Sequence, residues 1–220
     1  MWRTVLFDLD GTLTDPKEGI TSAFAYALRR FGIEADPDAL TSVIGPPLMD
    51  SFRDLYGFSH DEAVEAVREY RVYFSERGWA ENVPYPGIPE LLSELRQEGR
   101  QLVLATSKPE LFTLRIMEHF GLKQDFDLIC AAPMDESDGG KKENVIAAAL
   151  AGAGAAGPVD AVMVGDRRYD VFGAHKNHIP AIGVLYGYGS REELEEAGAD
   201  HITESVRSLG ALLRKGGSTT

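Results

Sequence analysis

Asp8-Leu9-Asp10-Gly11-Thr12 sets two carboxylates two residues apart. They directly follow Thr4-Val5-Leu6-Phe7, an apolar, partly β-branched run that reads as a buried strand. Side chains alternate between faces along a strand, and where the backbone turns at its end both acids can point into one cleft. Gly11 permits the sharp turn and lets backbone N–H groups approach a ligand. Two adjacent carboxylates repel each other, so the pair calls for a cation, a shared proton, or both. The ordinary alternative for an Asp-x-Asp of this kind is an Asx-type turn with solvated acids.

Three further groups also stand at expected strand ends or helix starts. Leu102-Val103-Leu104-Ala105 runs into Thr106-Ser107-Lys108-Pro109, two hydroxyls and a lysine ahead of a proline suited to a helix's first turn. Hydroxyls at a helix N-terminus suit a phosphate, or simply cap the helix. Val162-Met163-Val164-Gly165 leads to Asp166-Arg167-Arg168-Tyr169-Asp170. A helix starting near Arg167 puts Asp166 at its N-cap and Asp170 one turn on, either as a site or as a cap plus a surface acid. Lys142 opens an Ala-rich helix, where its charge opposes the helix dipole unless a partner requires it. Lys141 competes with it; the spacing to Asp166 and the Lys-x-x-Val-Ile register favour Lys142.

Asp8-x-Asp10-Gly11-Thr12, Thr106-Ser107, Lys142 and Gly165-Asp166-x-x-x-Asp170 resemble, in order and spacing, the four motifs of the haloacid dehalogenase superfamily, in its phosphatase branch. The resemblance covers nearly the whole chain. Ile44-Gly45-Pro46-Pro47 and Val184-Leu185-Tyr186-Gly187-Tyr188-Gly189-Ser190 look like the phosphoglycolate phosphatase-like group and its 5′-nucleotidase relatives. It implies an α/β fold: a Rossmann-like parallel-sheet core with an inserted helical cap that closes over the catalytic face and reads the substrate. Asp8 is then the nucleophile, forming an aspartyl-phosphate that water hydrolyses, and Asp10 the general acid and base. Gly11, Thr106, Ser107 and Lys142 hold the phosphoryl group; Ser107 stands where many relatives carry Asn. The cofactor implied is Mg²⁺, on a carboxylate oxygen of Asp8, the backbone carbonyl of Asp10, and Asp166, with Asp170 an orienting residue or a direct ligand. Dehalogenases lack the second acid, so Asp10 argues against that chemistry. Phosphonatases use a cap lysine, and Lys17, the one lysine in the expected cap, sits at its hinge. Phosphomutases share every motif. A non-catalytic phosphometabolite-binding protein would be expected to have lost Asp8, Asp10, Lys142 or Asp166, and all four are present.

These residues require strands to present them. From Pro84-Tyr85-Pro86-Gly87 onward the pattern alternates. Helices are expected over 88–98, 110–119, at Lys142 and over 169–177, and strands ending at Thr106, over 128–131, 159–164 and 181–184. Such alternation with continuous apolar strands implies a parallel sheet covered on both faces. Ligands bind outside the carboxyl ends of such strands, where the motifs would gather. Between Pro16 and Asn82 the pattern is helical throughout: Ile20, Ala23, Phe24, Ala27, Leu28 and Phe31 share one face. Short helices are expected after Asp36-Pro37 and over 48–56. Ser59-His60-Asp61-Glu62 has capping-box spacing ahead of Ala63, Val64, Val67, Tyr70 and Phe74. This gives a cap of about four helices. Tyr70, Tyr73 and Phe74 belong either to its core or to a substrate face, and Gly45-Pro46-Pro47 either reaches the active-site mouth or merely breaks a helix. Lys108 is either an exposed helix-start residue or a contact to cap or substrate. The expected domains are 1–15 with 83–214 as core, 16–82 as cap, and 215–220 as a disordered tail.

A chain of 220 residues suits one large domain or a domain with an insertion. A net charge of −13 disfavours nucleic acids and anionic membranes, because the summed field repels polyanions, while a small phosphorylated metabolite can still bind where Lys and a cation focus positive charge. The single cysteine, Cys130, allows no intramolecular disulfide and is expected to be buried in a strand. The apolar stretches fall short of a membrane span, and the short run before Asp8 is not expected to be a signal peptide. A cytoplasmic enzyme, monomeric or weakly dimeric, is the expectation. His60, His119, His175, His178 and His201 are scattered and read, like Trp2 and Trp79, as surface or packing residues.

Overall fold

The structure, a computed structural model, describes residues 2–134, 138–155 and 160–215. The chain divides into two compact units, Met1–Asp15 with Pro84–Thr220, and Pro16–Val83. The tail at 216–220 lies outside the described residues, as does Val159; Lys215, expected in the tail, instead ends the last helix.

The inserted unit holds α1 (Lys17–Arg30), α2 (Leu48–Tyr56) and α3 (His60–Tyr73), the last continuing into a π-helical turn over Phe74–Gly78. The helix expected after Asp36-Pro37 is only a pair of 3₁₀ turns, Pro37–Ala39 and Thr41–Val43, so three α-helices replace the expected four among the described residues. An aromatic core holds them. Phe24 and Phe52 stack at 4.0 Å between centroids, Phe58 packs on Phe52 and Phe31, and Tyr70 stacks on Phe74. Tyr70 and Phe74 are thus core, while Tyr73 donates its hydroxyl to Glu81. Ser59 and Glu62 cap α3 reciprocally. Gly45 takes a positive φ of 105° and Pro47 is the N-cap of α2, so Gly45-Pro46-Pro47 breaks the helical run.

The other unit is built on a six-stranded parallel sheet. Its strands are β1 (Thr4–Phe7), β4 (Gln101–Pro109), β5 (Leu128–Ala132), β6 (Ala161–Gly165), β7 (Ala181–Val184) and β8 (His201–Thr203), in the order β5-β4-β1-β6-β7-β8. Two-residue strands β2 (Thr14–Asp15) and β3 (Val83–Pro84) lie outside it. Crossover helices α4 (Ile88–Gln97), α5 (Glu110–His119), α6 (Lys142–Ala153) and α7 (Arg168–Lys176) connect the strands. Then come α8 (Arg191–Glu196) and α9 (Val206–Lys215). Leu6, Val103, Ala105, Ala161 and Met163 pack one face of the sheet against Val145, Ile146 and Ala149 of α6 and Val171 and Ala174 of α7. Their neighbours Val5, Phe7, Leu102, Leu104, Val162 and Val164 are also fully buried, as strands covered on both sides must be. Cys130 departs from expectation: it is only half-buried, because β5 is an edge strand. The chain order reverses between β1 and β6, and the carboxyl ends of strands flanking such a switch form a crevice.

Candidate active site

Asp8 leaves β1 with its N–H on the carbonyl of Val164 in β6. Leu9 and Leu13 are fully buried, which pins the following turn to the core and leaves the carboxylates on either side of Leu9 outside it. Gly11 has φ +80°, and a Cβ there would lie 2.2 Å from Asp166 Oδ2, so the turn and Asp166 pack as only glycine allows.

At the end of β6, Asp166 is not the N-cap of α7; that position falls to Arg167. Asp170, at the third helical position, caps instead, its Oδ2 accepting the Arg167 N–H at 3.1 Å. Asp166 is free of the helix and is held from across the loop. Tyr188 N–H donates to its Oδ2 at 2.8 Å, and Thr12 Oγ1 to its Oδ1 at 3.4 Å. Lys142, the first residue of α6, is buried and sends its Nζ to Asp8 Oδ1 and Asp170 Oδ1, each at 2.8 Å, and to the carbonyl of Ala105 at 3.2 Å. The carbonyl accepts a hydrogen bond, and the two carboxylates are ion-paired with the ammonium. This explains a cation at a helix N-terminus. Lys141 is the exposed N-cap. Thr106 is buried at the end of β4's apolar run, its Oγ1 accepting the Lys108 N–H at 3.2 Å. Ser107 is exposed.

Asp8, Asp166 and Asp170 each offer an oxygen within 4.8 Å of the others. The Asp10 side chain stands apart from that trio, its Oδ2 2.6 Å from Lys108 Nζ. Burial holds Asp166 well above the usual carboxylate range, with Asp170 and Asp8 adding to the effect. Burial pushes Asp170 up to about 6 against the pull of Lys142. Burial also raises Asp10, helped by Asp8 and opposed by Lys108 and Lys142. Burial alone would lower Lys142, but Asp170 and Asp8 outweigh it and keep the ammonium charged. Four carboxyl groups thus face two ammonium groups, so with all four ionised the buried cluster is two positive charges short. An all-oxygen carboxylate trio with that shortfall fits a hard divalent cation.

Asp8, Asp10, Gly11, Thr106, Lys142, Asp166 and Asp170 were expected together at these strand ends, as was Ser107, which is exposed; Lys108 had only an open reading, and two further contributors had no part in the site. Lys108 is an inward-facing partner of Asp10 whose side chain is only 7% exposed. Thr12 carried a motif without a role of its own. The segment Tyr186-Gly187-Tyr188-Gly189 cradles Asp166: a Cβ on Gly187 would lie 2.4 Å from Asp166 Cβ, and the Tyr186 hydroxyl donates to the carbonyl of Thr12. Its signal was two glycines alternating with tyrosines straight after an apolar strand, but a backbone N–H leaves no mark in a sequence. Among the described residues no histidine joins the carboxylate trio.

The family described as haloacid dehalogenase-like hydrolase matches residues 5–184. A 5′-nucleotidase of Pseudomonas aeruginosa is 42% identical over 213 residues, 96% of each chain. The tyrosine-protein kinase PtkA of Mycobacterium tuberculosis is 41% identical over 205 residues, 93% of this chain and 69% of the relative. The crystal structure of a predicted phosphatase from Clostridium acetobutylicum matches with a TM-score of 0.93 at 46% identity, covering 98% of this chain and 99% of that one.

Proposed function

Because this chain belongs to the haloacid dehalogenase-like hydrolase family, we propose that it is a Mg²⁺-dependent phosphatase acting on a small phosphate monoester. The substrate class is a 5′-nucleotide or a phosphoglycolate-like ester. The observation that carries this reading is the division of labour between two neighbouring acids. Asp8, within the carboxylate trio, is ion-paired with Lys142, whereas Asp10 is largely buried with its carboxyl raised, disposed to hold a proton.

A carboxylate oxygen of Asp8 attacks phosphorus, and the ester P–O bond breaks as the new P–O bond forms. Asp10 gives its proton to the departing oxygen. As a carboxylate it then takes a proton from the water that attacks the same phosphorus, and inorganic phosphate leaves Asp8. Lys142 and Thr106 hold the phosphoryl oxygens common to every substrate. Asp8, Asp166 and the Asp10 backbone carbonyl would hold Mg²⁺, which when bound offsets charge on the transferring group.

The test is phosphate release from a panel of 5′-nucleoside monophosphates, phosphoglycolate and sugar phosphates, with Mg²⁺ and with EDTA. Release requiring Mg²⁺ and confined to one ester class is expected. No release from any ester would contradict the reading. Phosphomutases and the kinase relative pass the phosphoryl group to other acceptors, so transfer to an added hydroxyl compound in place of water would shift the assignment to them.

A further inference from the structure

Lys108 is a charged group at the site that the proposed reaction leaves without a task. Its position is built rather than incidental. The pairing of β4 with β5 runs in regular register up to Thr106↔Ala131, then shifts so that Pro109 pairs with Ala132. The two extra residues on β4 are Ser107 and Lys108. A bulge bends the strand and re-aims a side chain, and such irregularities recur beside active sites. Here the backbone around it is tied down on both sides: the Lys108 N–H donates to Thr106 Oγ1, and the Lys108 carbonyl accepts from Thr113 Oγ1 at 3.2 Å. The ammonium arrives 2.6 Å from Asp10 Oδ2. Asp10 Oδ1 is buried without a hydrogen-bond partner among the described residues. A buried oxygen left unsatisfied in a folded protein calls for an explanation, and a reacting atom is one.

We infer that Lys108 is a positioning residue for Asp10: it occupies Oδ2 and so commits Oδ1 as the oxygen that gives the proton to the leaving group and takes it back from water. This rests on the phosphatase reading above. An ammonium N–H on Oδ2 favours the proton on Oδ1, because protonating Oδ2 would weaken it as the acceptor of that charged hydrogen bond. It also fixes the carboxyl torsion, so that Oδ1 meets the substrate in one orientation. Loss of orientation by about 1 Å can cost roughly 10²-fold in rate.

The experiment compares kcat/KM, which reports the first phosphoryl transfer, on an alkyl phosphate and on a nitrophenyl phosphate, whose leaving group needs little protonation. Lys108→Met is expected to lose roughly 10- to 100-fold on the alkyl ester and about threefold or less on the aryl ester, with KM little changed. Lys108→Arg, which keeps a charged donor, is expected to recover most of the loss. In an Asp10→Asn background, removing Lys108 should cost nothing further on the alkyl ester. Equal losses on both esters, a rise in KM with kcat preserved, or an additive loss in the Asp10→Asn background would each overturn the inference. Thermal melts accompany every variant. If Lys108→Met does not fold, Lys108→Gln carries the same comparison with a polar group in the buried position. A wild-type protein that releases phosphate from neither ester would overturn the phosphatase reading, and this inference with it; one that does so while Lys108 fails these tests leaves that reading standing.

Discussion

Asp10 stands two residues from Asp8 but is ion-paired with a different lysine. Asp8 shares Lys142 with Asp170, while Asp10 pairs with Lys108. Asp10→Asn keeps the shape and removes the acidic proton. Its kcat/KM is expected to fall about 10²- to 10⁴-fold on an alkyl phosphate and far less on an aryl phosphate; equal falls would take the general-acid role away from Asp10. The side chains that carry charge were legible in the sequence because each needed a reason: paired acids, a lysine at the wrong end of a helix. What was not legible is which of two equivalent oxygens is used, or that the Tyr188 N–H holds Asp166, since both depend on contacts between segments distant in the chain.

Strands β1, β4, β6 and β7, and helix α5, fall within a few residues of expectation, because long apolar runs and a proline at a helix start are strong local signals. The ends held the surprises. β4 was expected to stop at Thr106 and runs to Pro109, because its last pairing comes after a bulge that no local propensity encodes. The helix α7 starts at Arg168, between the Arg167 start that would have made Asp166 its cap and the expected 169–177 span, so Asp170 caps it and Asp166 is left available to the site. The short C-terminal α8 and β8 carried little signal. α8 is six residues with one buried leucine, and β8 is three residues long. Their junction is held by Asp200, which accepts from the Ala181 N–H at 2.9 Å and meets His175 Nε2 at 3.0 Å. Burial opposes ionisation of Asp200, but these two partners outweigh it and hold its carboxyl below the usual range. A lowered folded value means stability that is present above the unfolded pKa and lost as pH falls through the folded one. Asp200→Asn should therefore lower Tm modestly at neutral pH, with the gap to wild type closing in acid. A gap that persists unchanged at low pH would show that the charge contributes nothing.

At the scale of the whole chain, a net charge of −13 coexists with a site that collects two buried lysines. No helix among the described residues is long and apolar enough to cross a membrane. The α/β architecture and the helical insertion were readable from the change in periodicity near Pro16 and Pro84. The aromatic packing inside the insertion was not, because a helical apolar face looks the same whether it meets a core or a ligand. The excess carboxylate charge predicts a linkage between metal and stability. Mg²⁺ at 100 times its Kd should stabilise wild type by about 2.7 kcal/mol, read as a rise in Tm. Asp166→Asn should abolish that rise while leaving the metal-free protein as stable or more so, since one buried charge is removed from a repelling cluster. An undiminished Mg²⁺ shift in that variant would place the ion elsewhere. The central claim is covalent catalysis at Asp8, and its most direct test is mass spectrometry of the enzyme acid-quenched during a single turnover. A phosphoryl group on Asp8, absent from Asp8→Asn together with phosphate release, is the predicted result. A phosphoryl group on another residue, or phosphate release that survives Asp8→Asn, would contradict it.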